Sequence, residues 1–335
     1  MTRQHLINRR RATLLGASLL TLAAGVPVRA QTASARGWPT KPVTIVAVFA
    51  AGGPVDIVTR ITAKALSDHF QQQFVVENRV GAGGTVGALS VARSEPNGYT
   101  LLGVNTSHTV SETLYKTRRY DLSKDFAPVS TIGTSPNWLL INPKVHPFKD
   151  MRELVAWARA NPGKLTYASG GSGGMTHLSS ELMKSRAGLD IVHVPYKGNA
   201  PAFTDLIAGR VDMIFDQPAS SEAFVKSGQM RPLAVTSRAR MPTHPDVPTM
   251  IESGFDDFEA SVWYGLAFRT GTPPAIVAAL NAGLAKVLSQ SDIREQLLAV
   301  GVTPAHSTPE AFGALIRSDT ARWRDVIERA GITAQ

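Results

Sequence analysis

Val43–Asp56 reads VTIVAVFAAGGPVD, in which a long apolar run passes directly into a pair of glycines. The run Val43–Phe49 is β-branched and almost wholly apolar, which is typical of a strand buried on both faces of a parallel sheet. After the glycines, apolar residues recur from Ile57 to Phe70 at spacings of three and four, which is a helical period. The sequence therefore predicts a central strand, a glycine turn and an amphipathic helix in immediate succession.

Gly52-Gly53 lies at the corner between this predicted strand and helix. The first N–H groups of a helix have no intrahelical partner, and the helix dipole adds partial positive charge there. An anion could bind at such a corner without a basic side chain. The alternative is that the glycines only turn the chain, and these residues alone leave both interpretations open. The candidate ligand residues of this first turn are Phe49, Ala50, Ala51, Gly52, Gly53 and Asp56.

Further strand, turn and helix units follow along the chain. The predicted strands precede turns at Gly81–Gly87, Asn105–Ser107 and Ser169–His177. Strands that alternate with helices predict a parallel, doubly wound α/β sheet. The first of these turns does not fit a dinucleotide fingerprint, because the acid Glu77 precedes its glycines instead of following them by about twenty residues. We therefore expect no cofactor.

Prolines divide the chain into segments. The passage from Phe126 to Pro143 is where we expect the chain to cross into a second domain, and the prolines between 242 and 248 precede its return. Two helices, Pro274–Ser289 and Pro309–Ala330, then close the first domain. The predicted boundaries are residues 38–133 and 253–335 for domain 1 and 134–252 for domain 2.

Residues 1–30 have the composition of an export signal. Four arginines precede the apolar run Ala12–Val26, and Val28-Arg29-Ala30 supplies the small residues of a cleavage site near Ala30. The run is too short to span a bilayer, so no membrane insertion is expected after cleavage. Asn8–Leu14 also resembles a twin-arginine signal, and the general secretory and twin-arginine routes both stay open. The predicted location is the periplasm.

Charge and cysteine content exclude several functions. The net charge of +9 falls to +4 when residues 1–30 are removed, and no basic block remains that could track nucleic-acid phosphates. The absence of cysteine excludes disulfides, iron–sulfur clusters and thiolate zinc sites. The eight histidines are scattered without paired metal-ligand spacing, so no metal site is expected.

Gly170–Gly174 matches the G-x-S-x-G pattern of a nucleophile elbow and lies between a predicted strand and helix. An exported serine hydrolase with Ser172 as its nucleophile is therefore the alternative function. Four glycines around one serine match this pattern easily, and His177 is interpreted as a capping or cleft-lining group. A triad would draw its acid and base from Asp212, Asp216, His244 and His306.

Seven segments spread over the predicted mature chain form an ordered set: Trp38–Pro42, Phe49–Asp56, Asn78–Gly84, Asn97–Leu102, Ser169–His177, Val194–Gly198 and Val211–Asp216. In this order they resemble the substrate-binding proteins of tripartite tricarboxylate transporters, also called the Bug (Bordetella uptake gene) receptors. The sequence departs from the family at Ala51, where proline is common, and at Gly174-Met175. These departures leave the identity of the ligand open.

The resemblance implies a type II periplasmic-binding-protein fold, with two α/β domains and a ligand cleft between them. It implies a monomeric receptor without enzymatic activity, whose partners are a small organic carboxylate and membrane transporter subunits. Backbone amides of two facing turns, Phe49–Gly53 and Ser169–Gly174, would hold the carboxylate. The remaining candidate ligand residues are Thr106, Ser107, Ser169, Gly171, Ser172, Gly173, Gly174, His177, Tyr196 and Asp216.

Overall fold

The strands of the protein form two sheets in a computed structural model that describes residues 37–49, 51–171, 173–196 and 198–333. In spatial order, the first sheet contains β11 (Thr303–Pro304), β4 (Phe126–Ser135), β10 (Val262–Arg269), β3 (Thr100–Asn105), β1 (Val43–Ala47) and β2 (Phe74–Asn78). The second contains β7 (Val192–Pro195), β6 (Thr166–Ser169), β8 (Met213–Asp216), β5 (Trp138–Ile141) and β9 (Arg231–Val235).

Helices cover both sheets. Those that follow strands of the first sheet are α1 (Pro54–Phe70), α2 (Thr85–Ala92), α3 (Thr106–Leu114), α8 (Pro274–Ser289), α9 (Ser291–Ala299) and α10 (Pro309–Ala330). Those that follow strands of the second are α4 (Met151–Ala160), α5 (Met175–Ala187), α6 (Asn199–Ile207) and α7 (Pro218–Lys226). Within the described ranges, no helix combines the length and apolar character needed to cross a bilayer.

The predicted central position of the first strand is confirmed. β1 lies between β3 and β2 and is parallel to both, with Val43 and Ile45 fully buried. Each sheet is mixed and not wholly parallel, because β10 pairs antiparallel with β3 and β5 pairs antiparallel with β8. The chain enters the second sheet at β5 and returns to the first sheet at β10. The direction of these two strands is therefore set by the path of the chain between the sheets.

The two segments that cross between the sheets lie side by side. The Asn137 N–H donates to Thr236 Oγ1 at 2.9 Å, and the Thr236 N–H donates back to the Asn137 carbonyl at 2.8 Å. The Ala260 N–H then donates to the Thr236 carbonyl at 3.2 Å. The sheets are therefore joined by a short hydrogen-bonded ladder beneath the space between them.

Helix α10 contributes side chains to two different cores. Phe312 and Ile316, near its start, pack with Val46 and Leu102 of the first sheet. Trp323, Val326 and Ile327, about two to three turns further along, pack in the core of the second sheet. The last helix therefore ties the two halves of the fold together.

Candidate ligand-binding cleft

A cavity of about 510 Å³ lies between the two sheets, where β1, β3, β6 and β8 end. Open α/β sheets bind ligands at the carboxyl ends of their strands. A larger cavity of about 580 Å³ lies between α8 and α10, away from these strand ends. The residues that line the first cavity are Phe49, Gly53, Pro54, Val55, Asn105, Ser107, Asn137, Gly170, Gly174, Met175, Thr176, Asn199, Asp216, Gln217, Val262 and Tyr264.

Two helices begin at this cleft in the same way. The N-cap of α1 is Gly53 (φ −78°, ψ 166°) and the N-cap of α5 is Gly174 (φ −74°, ψ 164°), and neither helix start has a side-chain cap. The first backbone bond of each helix reaches its N-cap carbonyl at 3.0 Å. Among the described residues, no partner is present for the N–H groups of Val55, Asp56, Met175, Thr176 and His177. Within the described part of the chain, the cleft therefore contains two helix N-termini whose first N–H groups lack partners, each with partial positive charge.

Asp56 stabilises the first glycine turn by accepting a hydrogen bond from it. Its buried carboxylate accepts the Gly52 N–H at 2.9 Å, Arg60 Nε at 2.9 Å and Asn78 Nδ2 at 2.8 Å. Asn78 also donates to the Phe49 carbonyl at 2.9 Å. The hydrogen bond from Arg60 is the main cause that lowers the pKa of Asp56 to about 2. Asp56 is therefore ionised at ordinary pH and supports the turn without lining the cavity.

His177 fastens the second glycine turn at the corresponding position. The Gly173 N–H donates to His177 Nδ1 at 3.0 Å, and the Gly170 N–H donates to Thr176 Oγ1 at 3.1 Å. Like Asp56, His177 is the third residue of its helix and binds the N–H of the glycine four residues earlier. The N–H groups of Gly52 and Gly173 already have partners, so among the described residues the amides of the helix starts are left for a ligand.

The start of α3 forms a further wall of the cleft. Asn105 caps this helix by accepting the Ser107 N–H at 3.1 Å. The Asn105 N–H in turn donates to Nδ1 of the buried His108. Burial lowers the pKa of His108 to about 4. Asn105 and Ser107 line the cavity, whereas Thr106 is fully buried and accepts the Trp263 N–H at 2.9 Å. Thr106 was predicted as a ligand residue, but it does not line the cavity.

Asp216 ends β8 and holds one polar wall of the cleft in place. Its carboxylate is fully buried and accepts Asn199 Nδ2 at 2.5 Å and the hydroxyls of Ser220 and Ser221 at 2.6 Å each. Burial raises the pKa of Asp216 to about 6, against the opposing effect of these donors. The Asn199 amide oxygen occupies the space that a Cβ at position 170 would need.

The predicted ligand residues do not all line the cavity. Those that line the cavity are Phe49, Gly53, Ser107, Gly174 and Asp216. Those that belong to the turns or their supports without lining it are Ala51, Gly52, Asp56, Ser169, Gly171, Gly173 and His177. The Tyr196 hydroxyl donates to Asp205 at 2.7 Å, which directs this side chain away from the cavity. Ala50 and Ser172 fall outside the described residues.

Several lining residues carried no sequence motif. Trp263 and Tyr264 are both buried, and Tyr264 also lines the cavity. Gln217 Nε2 donates to the Tyr264 hydroxyl at 3.3 Å and so joins the two walls. Alternation along β10 is the signal that separates Trp263 from Tyr264, because successive strand side chains point to opposite faces.

Asp212 and His306, two of the groups considered for a hydrolase triad, bond to other partners in the described structure. Asp212 accepts His146 Nε2 at 2.6 Å and the Thr166 hydroxyl at 2.8 Å, and His306 bonds to the Asn281 carbonyl. No group of three histidine, aspartate or glutamate side chains in the described part of the chain is placed to hold a metal. The described cavity lining also contains no lysine or arginine.

A ligand cleft lies between two α/β domains, and the N-termini of α1 and α5 open into it. This arrangement defines a solute-binding receptor of the type II periplasmic-binding-protein fold. The model of the tripartite tricarboxylate transporter family receptor (TctC) matches residues 58–332. The chain therefore belongs to this family.

Curated relatives and solved structures agree with this assignment. A UPF0065 protein in the tcbD-tcbE intergenic region of a Pseudomonas species is 39% identical over 310 residues, which is 91% of this chain and 92% of the relative. BugT of Bordetella pertussis is 34% identical over 320 residues, or 95% of this chain and 96% of BugT. The predicted resemblance to Bug receptors is confirmed.

Two solved structures of similar proteins contain carboxylates. Rpa4515 of R. palustris with adipate is 36% identical, with a TM-score of 0.74 over 88% of this chain and 99% of that one. MatC of Rhodopseudomonas palustris with bound malate is 33% identical, with a TM-score of 0.70 over 87% of this chain and 100% of that one. The predicted fold class is confirmed.

Proposed function

We propose that this protein captures a small organic carboxylate in the cleft between its sheets and presents it to the membrane subunits of a tripartite tricarboxylate-type transporter. The observation that carries the proposal is the pair of unsatisfied helix N-termini at Gly53 and Gly174, which open into one cavity. Helix N-termini bind anions through oriented N–H groups and the helix dipole. The adipate and malate complexes of similar receptors support this ligand class.

The electrostatics of the lining favour main-chain recognition. In the described lining the one charged side chain is Asp216, whose carboxylate is already bound by three side-chain donors. An anionic ligand thus gains nothing from basic side chains there and depends on neutral donors, among which the N–H groups of the helix starts add the partial positive charge of the helix dipole. Phe49, Val55, Met175 and Tyr264 supply apolar wall for the carbon skeleton. A volume of about 510 Å³ lies within the usual range of small-molecule sites.

We expect adipate or malate to raise the midpoint of thermal unfolding of the mature protein. A ligand at about 100 times its dissociation constant adds roughly 2.7 kcal/mol to the free energy of unfolding. The measurement is a thermal-shift screen of adipate, malate, citrate and benzoate, followed by calorimetry of the hits, with the corresponding uncharged amides as controls. The proposal fails if no carboxylate shifts the midpoint, or if the amides shift it equally.

We further propose that the receptor acts as a monomer and has no enzymatic activity. The receptor family to which the chain belongs supports the second point. Covalent labelling of Ser172 by a fluorophosphonate, or ester hydrolysis lost in Ser172→Ala, would contradict it. Sheet membership supports the proposed domain boundaries, since all strands of the second sheet lie within residues 134–252 and only the last two residues of β4 leave domain 1.

We expect export to the periplasm with cleavage near Ala30. The reason is the arginine-rich start and short apolar run of residues 1–30, which lie outside the described residues. The measurement is the intact mass of protein recovered from the periplasm of an expressing cell, compared with the cytoplasmic fraction. Full-length protein confined to the cytoplasm would contradict both the location and the receptor role.

A further inference from the structure

Three aromatic rings stack beneath the second glycine turn. His177 of α5 lies over His193 of β7 with ring centroids 4.0 Å apart and planes inclined by 17°. Tyr167 of β6 also stacks against His193, at 4.7 Å and 14°, and its ring centroid lies 6.0 Å from that of His177. The two histidines line a separate cavity of about 300 Å³, whose opposite wall is Ala330–Thr333 at the end of α10. They are thus outside the lining of the ligand cleft.

The stack contacts the turn at two points. His177 Nδ1 accepts the Gly173 N–H at 3.0 Å. His193 Nε2 shares a hydrogen bond with Ser169 Oγ at 2.7 Å, and that hydroxyl lies 3.3 Å from the Gly171 carbonyl oxygen and 3.4 Å from its nitrogen. Both halves of the turn that leads to the N-cap of α5 are therefore held from the same side.

We propose that His177 and His193 are positioning residues that hold the second glycine turn in its ligand-binding shape, and that this hold is released when His177 is protonated. An imidazole nitrogen accepts an N–H only through its lone pair, and a proton on Nδ1 removes that lone pair. Protonation of both rings would also place two like charges in a stack only 4.0 Å apart. The native turn therefore requires a neutral His177. This inference rests on the proposed function for its link to the ligand.

The surroundings of the pair favour the neutral form. The titratable and charged groups that face it are Glu181 and Lys184 of α5 and Tyr167 of β6, while the described residues at the end of α10 that line the cavity carry no charge. Burial is the main cause that lowers the pKa of His177 to about 4, and the neighbouring His193 adds to it. Burial also lowers the pKa of His193, while Glu181 opposes the shift at both rings.

The two glycine turns should respond differently to acid. Asp56 holds Gly52 as a carboxylate with its pKa lowered to about 2, so this contact persists in weak acid. His177 holds Gly173 as a neutral ring, so the corresponding contact is lost as the pH falls through its pKa. The stabilising contribution of His177 is complete above its ordinary value near 6.5 and declines between that value and about 4.

The test is an NMR titration of the ligand-free mature protein, uniformly labelled with ¹⁵N, from about pH 8 to about pH 3. We expect the Gly173 amide resonance to move together with the ring nitrogens of His177, with an apparent pKa well below 6.5, and the Gly52 amide to stay unchanged. In His177→Gln the Gly173 titration should disappear, and in His193→Gln the pKa of His177 should rise. A Gly173 amide that does not titrate, or that titrates equally in His177→Gln, overturns the proposal.

Ligand affinity provides the second measurement, with adipate as the probe. Removal of the acceptor in His177→Leu should weaken binding at neutral pH by about five-fold or more, the effect of one net hydrogen bond. His177→Gln, which keeps an acceptor, should bind within about two-fold of the wild type. Equal affinity of all three proteins overturns the positioning role. Failure of the wild type to bind adipate counts against the proposed ligand class, while the ligand-free titration still decides the role of the histidines.

Discussion

Replacement of Asp319 by alanine is expected to lower the free energy of unfolding by about 3–5 kcal/mol, the usual effect of breaking a buried charge pair by removing one partner. The Asp319 carboxylate is fully buried in α10 and forms an ion pair with Arg322. It also accepts Trp263 Nε1 at 2.8 Å and the Thr109 hydroxyl at 3.1 Å. Alanine would leave a buried indole N–H and a largely buried guanidinium without their acceptor.

Urea denaturation followed by circular dichroism measures this effect, with Asp325→Ala as the matched control on the same helix. Asp325 is more than half exposed and lies 3.7 Å from Arg324, so its replacement should change the free energy of unfolding by less than about 0.5 kcal/mol. Asp319→Asn keeps one acceptor and should be intermediate, which preserves the comparison if the alanine variant does not fold. An Asp319→Ala protein as stable as Asp325→Ala would contradict the expectation.

Gly170→Ala is expected to weaken the binding of adipate by at least about ten-fold and to destabilise the protein by about 1–3 kcal/mol, as overpacking of a tight site does. A Cβ at position 170 would overlap with Asn199 Oδ1 and lie 3.1 Å from Asn199 Cγ. Asn199 cannot turn aside without losing its 2.5 Å bond to Asp216. The added methyl group therefore displaces either the turn or the polar wall of the cleft.

Calorimetry separates this steric effect from a general effect of losing a glycine. Gly188→Ala at the end of α5 adopts φ +61° with nothing within 4 Å of the new Cβ, so it should cost about 1–2 kcal/mol of stability and leave binding unchanged. Gly170→Ala combined with Asn199→Ala removes the obstruction and should recover part of the lost stability. Unchanged affinity in Gly170→Ala would show that the contact with Asn199 does not shape the site.

Local signals predicted much of the fold. The strand Val43–Phe49, the following glycines and the helix from Pro54 form a contiguous unit whose pattern needs no distant partner, and the structure confirms it with β1 and α1. The helices at Pro274–Ser289 and Pro309–Ala330 were predicted with their observed bounds, because prolines mark their starts and apolar periodicity runs through them. The antiparallel direction of β5 and β10 was missed, since it depends on the path between the sheets.

The candidate site was predicted only where it is local. Phe49, Gly53 and Gly174 were predicted as ligand residues and line the cavity, and the prediction was possible because a glycine turn between a strand and a helix is visible in a few consecutive residues. Asn137 and Tyr264 enter from the crossing segment and from β10, which no short pattern marks as part of a site. Both residues reach the cavity because the fold brings the ends of the two sheets together.

The sequence by itself determined the two strand, glycine turn and helix units, because backbone freedom at glycine and the apolar period of a helix are properties of neighbouring residues. The tertiary structure decided which side chains support those turns. Asp56 and His177 occupy the same position on their helices, but the first is held ionised by Arg60 and Asn78, whereas the second is stacked on His193 and kept neutral by burial. Arg60 is a neighbour on the same helix, but Asn78 of β2 and His193 of β7 come from other elements, and burial is a property of the packed surroundings.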